Sequence, residues 1–200
     1  MKYAGERKKE IGQIMNRIAI FIDGGYFGKL CTKHFRVSDG STSINYEKFV
    51  QWISGSSEIL RAYYYDCLPY QSAKPNRKER EMLSKKQKFF FGLDKIPRFC
   101  VRQGKLVFRG YDNKRKSIFF QKRVDLRLGL DLGSLVSAGK VEEVAIVAGD
   151  SDFIPAIEFA KREGVVVWLI HGPFGTYHQD LWLVADERKE ITQKIVSSFC

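Results

Sequence analysis

Two aspartates, Asp150 and Asp152, stand just beyond a short apolar run, Val144–Ala148, where a buried strand is expected to end. A third, Asp23, follows a second apolar run, Arg17–Ile22, which is typical of a central strand of a parallel sheet. Functional sites of such sheets lie at the carboxyl ends of the strands. If these two strands are neighbours, the three carboxylates converge at one edge.

A fourth aspartate, Asp125, lies in a predicted helix at Gln121–Ala138. At the helical period it falls about 60° to one side of an apolar stripe, while Asp131 falls about 60° to the other side. Asp131 is also about 9 Å from Asp125 along the helix axis. We therefore expect Asp125 to join the other carboxylates and Asp131 to have an outer-shell or structural role. The stripe consists of Val124, Leu128, Leu132 and Leu135.

Several carboxylates at close range repel one another unless some take up protons or the group binds a cation. Mg²⁺ and Mn²⁺ prefer oxygen ligands, and a bound ion of this kind activates water for attack on a phosphodiester. The candidate metal and catalytic set is Asp23, Asp125, Asp150 and Asp152. Taken singly, Asp23 and Asp150 are each explained equally well as helix N-caps, and Asp152 as a first-turn residue favoured by the helix dipole. Ser151 between them is expected to cap rather than to act as a nucleophile, since no base is evident nearby.

The net charge of the chain is +11, and it is concentrated in residues 71–123, which hold 17 Lys and Arg against 4 Asp and Glu, a net of +13. This exceeds the roughly 2–8 charges that solubility asks of a small domain, and a one-sided basic field is typical of a partner with a phosphate backbone. The segment predicts RNA binding, with these candidate residues: Lys74, Arg77, Lys78, Arg80, Lys85, Lys86, Lys114, Arg115, Lys116, Lys122 and Arg123.

Strands and helices are predicted to alternate, which indicates an α/β fold with a mainly parallel sheet and right-handed crossovers. Further strands are expected at Glu58–Leu68 and Val165–Ile170, and two β-like runs, Arg98–Arg102 and Lys105–Arg109, at a bend around Gln103-Gly104. The other predicted helices are Tyr26–Cys31, Asn45–Ile53, Pro75–Phe91 and Phe153–Arg162; Tyr111–Ser117 is a basic loop, and Thr176–Phe199 holds short helices. We expect one domain at residues 17–200, preceded by an arm or short helix at residues 1–16.

Other classes of protein are disfavoured by what the sequence lacks. No apolar run approaches the about 18 residues needed to span a bilayer, and the charged N-terminus has no apolar core of a signal peptide. The four cysteines are scattered, which is typical of free thiols in a reducing cytoplasm, and the three histidines lack the spacing of a zinc site. A cytoplasmic protein that binds single-stranded or structured RNA and no membrane is expected, and a second copy of the chain is a further candidate partner.

Three motifs in this order resemble the NYN domain, in its LabA-like bacterial branch of the PIN-like nuclease superfamily. They are Ile20-Phe21-Ile22-Asp23-Gly24-Gly25-Tyr26-Phe27, Lys122-Arg123-Val124-Asp125 to Leu130-Asp131-Leu132, and Val147-Ala148-Gly149-Asp150-Ser151-Asp152-Phe153. The resemblance covers residues 17–191. It implies a Rossmann-like three-layer α/β/α sandwich and a metal-dependent ribonuclease site, with Asp23 as the carboxylate of the first strand, Asp125 as that of the helix, and Asp150 with Asp152 as the last pair.

The sequence departs from the family pattern at two places. Gly25 stands where many members place Asn, and Gln121-Lys122-Arg123 stands where a Lys-Gly pair is more usual. Both changes concern substrate contacts, and neither removes a carboxylate.

Two other functions remain open at the level of sequence. The basic segment and Tyr63-Tyr64-Tyr65 would suffice for a non-catalytic RNA-binding or regulatory module, although tyrosines in a strand are more often buried. A haloacid-dehalogenase-like phosphatase also begins with a strand-end Asp, but here Gly25 stands where that enzyme needs its acid/base Asp. Ile154 also occupies the position of its later Asp.

Overall fold

The computed structural model describes residues 16–37, 40–111 and 117–200. The strands within these residues are β1 (Arg17–Asp23), β2 (Glu58–Cys67), β3 (Phe99–Tyr111), β4 (Ser117–Lys122), β5 (Glu143–Val147), β6 (Val166–His171) and β7 (Glu187–Glu190). They form one sheet in the order β4-β3-β2-β1-β5-β6-β7. Every described pair is parallel except β3 with β4. The predicted mainly parallel sheet is confirmed.

Helices cover both faces of this sheet. They are α1 (Gly24–Lys29), α2 (Tyr46–Ser54), α3 (Arg77–Asp94), α4 (Val124–Ser137), α5 (Ile154–Arg162), α6 (Gln179–Val184) and α7 (Gln193–Ser197), with a π-helical turn at Leu30–His34 and 3₁₀ turns at Gly40–Ser43 and Ser151–Phe153. Alternate residues of β1 face opposite cores, because side chains in a strand alternate. Ile20 packs in the core that includes Phe27 and Phe49, and Phe21 in the core that includes Leu128. The three-layer α/β/α architecture expected from the resemblance is confirmed.

The order of the strands reverses at β1. From β1 the chain builds outward through β2 and β3 on one side, and it later returns to place β5 on the other side. Ile22 lies opposite Val147, so β1 and β5 end beside each other. In parallel sheets the crevice at such a reversal is where ligands bind. The strands preceding Asp23 and Asp150 are thus neighbours, which is the condition under which the carboxylates were expected to converge.

The predicted bend at Gln103-Gly104 is wrong. β3 runs unbroken through these residues, and Gly104 still lies opposite Cys67 of β2. The antiparallel partner of β3 comes later in the chain and is β4. This strand includes Ser117 of the predicted basic loop and Gln121 and Lys122 of the predicted helix. Consequently α4 begins at Val124 and not at Gln121. Both strands contain a short apolar run, Leu106–Phe108 in β3 and Ile118–Phe120 in β4, but the sequence does not show that these segments pair.

The tail holds one strand that was missed. β7 lies at the edge of the sheet beside β6, with Trp168 opposite Glu187 and His171 opposite Glu190. Its four residues, Glu-Arg-Lys-Glu, are all charged and give no local strand signal, so pairing with β6 decides their conformation. The predicted arm or helix at residues 1–16 lies outside the described residues, apart from Asn16.

Candidate functional site

Asp23 ends β1 and caps α1. Its Oδ1 accepts hydrogen bonds from the backbone N–H groups of Gly25 at 2.9 Å and Tyr26 at 3.1 Å. The turn between strand and helix is tight because the next residue is Gly24, where a β-carbon would lie 2.5 Å from Cζ of Tyr64. Among the described residues, no hydrogen bond reaches Oδ2 of Asp23. One oxygen thus serves the fold, and the other is available to a ligand.

Asp150 and Asp152 lie in the corresponding turn after β5. Oδ1 of Asp150 accepts the N–H of Asp152 at 3.1 Å and caps the short 3₁₀ turn that leads into α5. The capping roles considered for Asp23 and Asp150 are therefore present in the structure. Capping uses one oxygen of each carboxylate, and Asp150 and Asp152 are both exposed at the edge of the sheet.

Asp125 is the second residue of α4. The helix follows directly on Arg123, whose left-handed backbone (φ 73°) turns the chain from β4 into the helix. Asp125 lies in the predicted helix, but in its first turn and not four residues after its start, because residues 117–122 form β4. In the first turn its charge is favoured by the helix dipole.

Burial and neighbouring negative charges raise the pKa of both Asp23 and Asp125. Burial raises the pKa of Asp23 to about 6, and repulsion by Asp125 adds to the rise. The pKa of Asp125 is also raised, first by partial desolvation and then by the charges of Asp150 and Asp152. Within the described residues, none of these four carboxylates pairs with a Lys or Arg. The edge therefore holds negative charge that the described part of the protein leaves uncompensated.

The donor set suits a hard divalent ion, since all four side chains offer oxygen. Within the described ranges, however, no three His, Cys, Asp or Glu side chains are arranged so that one ion could bind them together. Mg²⁺ in proteins is often held by one or two carboxylates and keeps several waters. The arrangement fits an ion of that kind better than it fits an all-protein cage.

A cleft of about 480 Å³ opens between the Asp23 and Asp150 turns. Its far wall is the segment after β6, which is held to the Asp150 turn by a hydrogen bond of 2.9 Å from the N–H of His178 to the carbonyl of Gly149. The lining residues are Asp23, Tyr26, Lys29, Gly149, Asp150, Ser151, Gly175, Thr176, Tyr177 and His178. Ser151 therefore lies in the cleft wall beside the carboxylates. An exposed cation, Lys29, also faces this space, where it can contact a phosphate.

Sequence reasoning missed Asp66, which follows Tyr65 at the end of β2. Because Tyr65 lies opposite Asp23, Asp66 lies next to the site, and its charge contributes to the raised pKa of Asp23. Asp66 is buried and pairs with Lys86 of α3 at 2.5 Å. Its position near the end of a predicted strand was a signal in the sequence. Only the pairing of β2 with β1 shows that this position lies next to Asp23.

Asp131 is engaged away from the other carboxylates. Its Oδ2 accepts hydrogen bonds from Oη of Tyr65 and from Nε of Arg102, both at 2.9 Å. These contacts join α4 to β2 and β3 and support the structural alternative for Asp131. The three tyrosines of β2 are buried, Tyr63 being 7% exposed, so they offer no surface on which bases could stack.

The predicted RNA-binding cations divide into groups. Lys74, Lys78, Lys85 and Arg123 are exposed. Exposed Arg77 pairs with Glu81 at 2.7 Å, Arg80 donates to the carbonyl of Pro75 at 2.7 Å, and Lys86 is engaged with Asp66. Lys114, Arg115 and Lys116, with the side chain of Lys122, lie outside the described part of the structure.

None of the described helices combines the length and apolar composition needed to cross a membrane.

Comparison with known proteins gives one family and one fold likeness. The model of the NYN domain matches residues 17–187. The crystal structure of a protein of unknown function from Vibrio parahaemolyticus is similar with a TM-score of 0.56 and 21% identity, over 89% of this chain and 94% of that chain. At that identity the likeness shows the fold alone. MurG of Acinetobacter baumannii aligns over 88% of this chain and 41% of its own at 13% identity, and a TM-score of 0.36 supports no comparison. No curated protein matches the chain.

Proposed function

We propose that this chain, which belongs to the NYN domain family, is a ribonuclease of the LabA-like branch that hydrolyses RNA with the help of a divalent metal ion. The family is PIN-like and generally nuclease-like. The proposal for this chain is carried by one observation: Asp23 and Asp150 follow neighbouring strands and line one cleft at the point where the strand order reverses.

The residues proposed to hold Mg²⁺ or Mn²⁺ are Asp23, Asp125, Asp150 and Asp152, one or two of them directly and the others through waters of the ion. When bound, the ion would supply an activated water and would stabilise negative charge that develops on the phosphate. The backbone N–H groups of α1 hold Oδ1 of Asp23, and Oδ2, which accepts no hydrogen bond among the described residues, is proposed to bind the ion. Oδ1 of Asp150 is held in the same way by the N–H of Asp152. Capping thus orients both carboxylates before any ion binds.

The proposed substrate is RNA because the basic segment, residues 71–123, ends two residues before Asp125 in the chain, and Lys86 within it pairs with Asp66 beside the site. Its net charge of +13 supplies affinity for a phosphate backbone. Part of it, the end of β3 with β4, leads directly into α4 and Asp125. Lys29, in the wall of the cleft, is proposed to contact a phosphate next to the scissile bond.

The proposal is tested by Asp150→Asn, which removes a charge and keeps an oxygen that can cap. Cleavage of a labelled RNA with Mn²⁺ is expected to fall by about 100-fold or more, the scale of losing a group that acts in the reaction. Binding of Mn²⁺, followed by its paramagnetic resonance signal, should weaken in parallel. Glu163→Gln, an exposed carboxylate after α5, serves as the control. Unchanged cleavage by identically purified Asp150→Asn would show that the site is wrongly assigned.

A non-catalytic RNA-binding module is the second candidate function. It is favoured by the lack, within the described residues, of three side chains placed to bind one ion together. Such a module binds RNA equally well in EDTA and in Mn²⁺ and gains no thermal stability from the ion. That pair of results, with no cleavage by the native sequence, would replace the ribonuclease proposal.

A further inference from the structure

The end of β3 and the whole of β4 extend beyond the carboxyl edge of the sheet. Pairing of β2 with β3 stops at Cys67 and Gly104, whereas β3 continues to Tyr111 and pairs only with β4. We call this extension, residues 105–111 and 117–122, the ribbon. It leaves the sheet beside Asp66 and returns the chain to α4, where Asp125 is the second residue. The ribbon therefore rises from the edge that carries the carboxylates.

Three aromatic rings cluster on one face of the ribbon. Phe108 lies opposite Phe119 in the antiparallel pair, with ring centroids 5.7 Å apart. Tyr70, from the segment after β2, packs against both, at 5.9 Å from Phe108 and 5.2 Å from Phe119. Phe119 is 39% exposed and Tyr70 is 36% exposed, so these two rings keep open surface although they touch. We call these three residues the aromatic platform.

The two strands of the ribbon contain cations and no acidic residue. Residues 105–111 and 117–123 contain Lys105, Arg109, Lys122 and Arg123 and no Asp or Glu. An exposed apolar surface on a ribbon with cationic strands matches a polyanion that has flat apolar faces. Phe119 is three residues from the point where the ribbon leaves the sheet, a distance of about 10 Å at the rise of a strand.

We propose that the aromatic platform stacks unpaired bases, so that the substrate is RNA with a single-stranded segment beside the scissile phosphate. The inference rests on the proposed action on RNA and adds the class of RNA. Bases in a duplex stack on one another and are closed to side chains, whereas bases of a single strand stack on aromatic rings. The cations of the ribbon contact the backbone, and the rings distinguish a single strand from a duplex.

The test is Phe119→Ala, with binding measured in EDTA by anisotropy of a labelled RNA without self-complementarity and of its duplex. Affinity for the single strand is expected to fall by about 10-fold, while affinity for the duplex stays unchanged. Since no charge is removed, the salt dependence of binding should keep its slope, whereas Lys105→Gln should reduce the slope by about one. Phe91→Ala, which removes a ring that is 65% exposed on α3, is the matched control.

A second variant guards against loss of folding. Phe119→Trp keeps a stacking ring, so it should bind the single strand at least as well as the native sequence. Its fluorescence, measured as a difference from the native protein, should be quenched by single-stranded RNA and not by the duplex. Quenching by both forms, or by neither, would overturn the proposal.

Three other results would also overturn the proposal. One is unchanged binding of the single strand by Phe119→Ala, and another is equal loss for single strand and duplex. The third is that the native protein is a dimer and that Phe119→Ala dissociates it without loss of RNA affinity. That result would show that the rings serve self-association. Binding in EDTA needs no catalysis, so these failures are distinct from unchanged cleavage by Asp150→Asn.

Discussion

The ring of Tyr26 lies so close to Gly149 that a β-carbon on Gly149 would come within 2.4 Å of Cε2 of Tyr26. Tyr26 follows Asp23 in α1, and Gly149 precedes Asp150, so this contact sets how near the two carboxylate turns approach each other. Oη of Tyr26 also accepts the N–H of Gly172 at 2.8 Å, which fixes the opposite wall of the cleft to the same ring. One side chain thus holds three segments of the site in place.

Gly149→Ala is expected to destabilise the protein and to reduce RNA cleavage. The added methyl group would also meet the carbonyl of Thr176 at 2.7 Å, so either the ring or the segment after β6 must move. Overpacking of this kind costs about 1–3 kcal/mol of the free energy of unfolding, measurable by urea denaturation. Gly129→Ala is the control, because a β-carbon on Gly129 in α4 meets nothing within 4 Å. Alanine there should be neutral or stabilising. Equal effects of the two changes would contradict the role given to the contact.

Asp23→Asn is expected to stabilise the metal-free protein at alkaline pH. Burial is the chief cause that raises the pKa of Asp23 from 3.8 to about 6. At a pH between these two values, Asp23 is therefore protonated in the folded protein and ionised in the unfolded chain. The native sequence therefore loses stability as pH rises from about 4 through 6, by an amount on the order of 2 kcal/mol. Asparagine avoids this loss and can still cap α1.

The measurement is urea denaturation in EDTA at pH 4 and pH 8. A difference between Asp23→Asn and the native sequence should be present at pH 8 and absent at pH 4. Mn²⁺ should then stabilise the native sequence and have little effect on the variant. Glu163→Gln controls for the general effect of removing a negative charge. A stability difference that does not change with pH would contradict the burial of the Asp23 charge.

Lys86→Met is expected to destabilise the protein strongly although Lys86 was predicted to bind RNA. The side chain of Asp66 is 8% exposed and that of Lys86 21% exposed, so removal of the lysine leaves a buried carboxylate without its cation. Such a change costs about 3–5 kcal/mol, reduced by the two hydrogen bonds that Asp66 keeps, from the N–H of Cys67 and from Oη of Tyr64. Nζ of Lys86 also lies 5.1 Å from the ring centroid of Phe90.

Arg77→Met provides the matched control on the same helix. Arg77 pairs with Glu81 at 2.7 Å, but the two side chains are 89% and 60% exposed. Its loss should change the free energy of unfolding by about 0.5 kcal/mol or less. The double change Asp66→Asn with Lys86→Met should recover part of the stability, because no buried charge then lacks a partner. Comparable losses for Lys86→Met and Arg77→Met would show that burial does not strengthen the Asp66 pair.

The candidate carboxylates were predictable because local rules place them. An apolar run followed by Gly and Asp ends a buried strand whatever lies beside it, and this holds for Asp23 and Asp150 alike. Asp125 was found through its motif and its place beside an apolar stripe, although its helix starts three residues later than predicted. The capping bonds of Asp23 and Asp150 are likewise local, since each joins residues at most three positions apart.

Asp66 and the ribbon could not be predicted in the same way. Asp66 lies next to the site only because β2 lies beside β1. The ribbon forms only because residues 117–122 pair with residues 105–111. The charged residues of β7 become a strand only beside β6. These features depend on hydrogen bonds between segments that are far apart in the chain. The local sequence pattern does not specify which segments pair.

By itself, the sequence determined which carboxylates end strands and where positive charge is concentrated, because the spacing of apolar residues and the charges are local properties. The tertiary structure alone decided how Tyr26 meets Gly149, which of the basic side chains are exposed, and that Asp131 turns to Arg102 and Tyr65. The physical reason is that side-chain partners are chosen by strand order and register, and these are set by packing of the whole sheet.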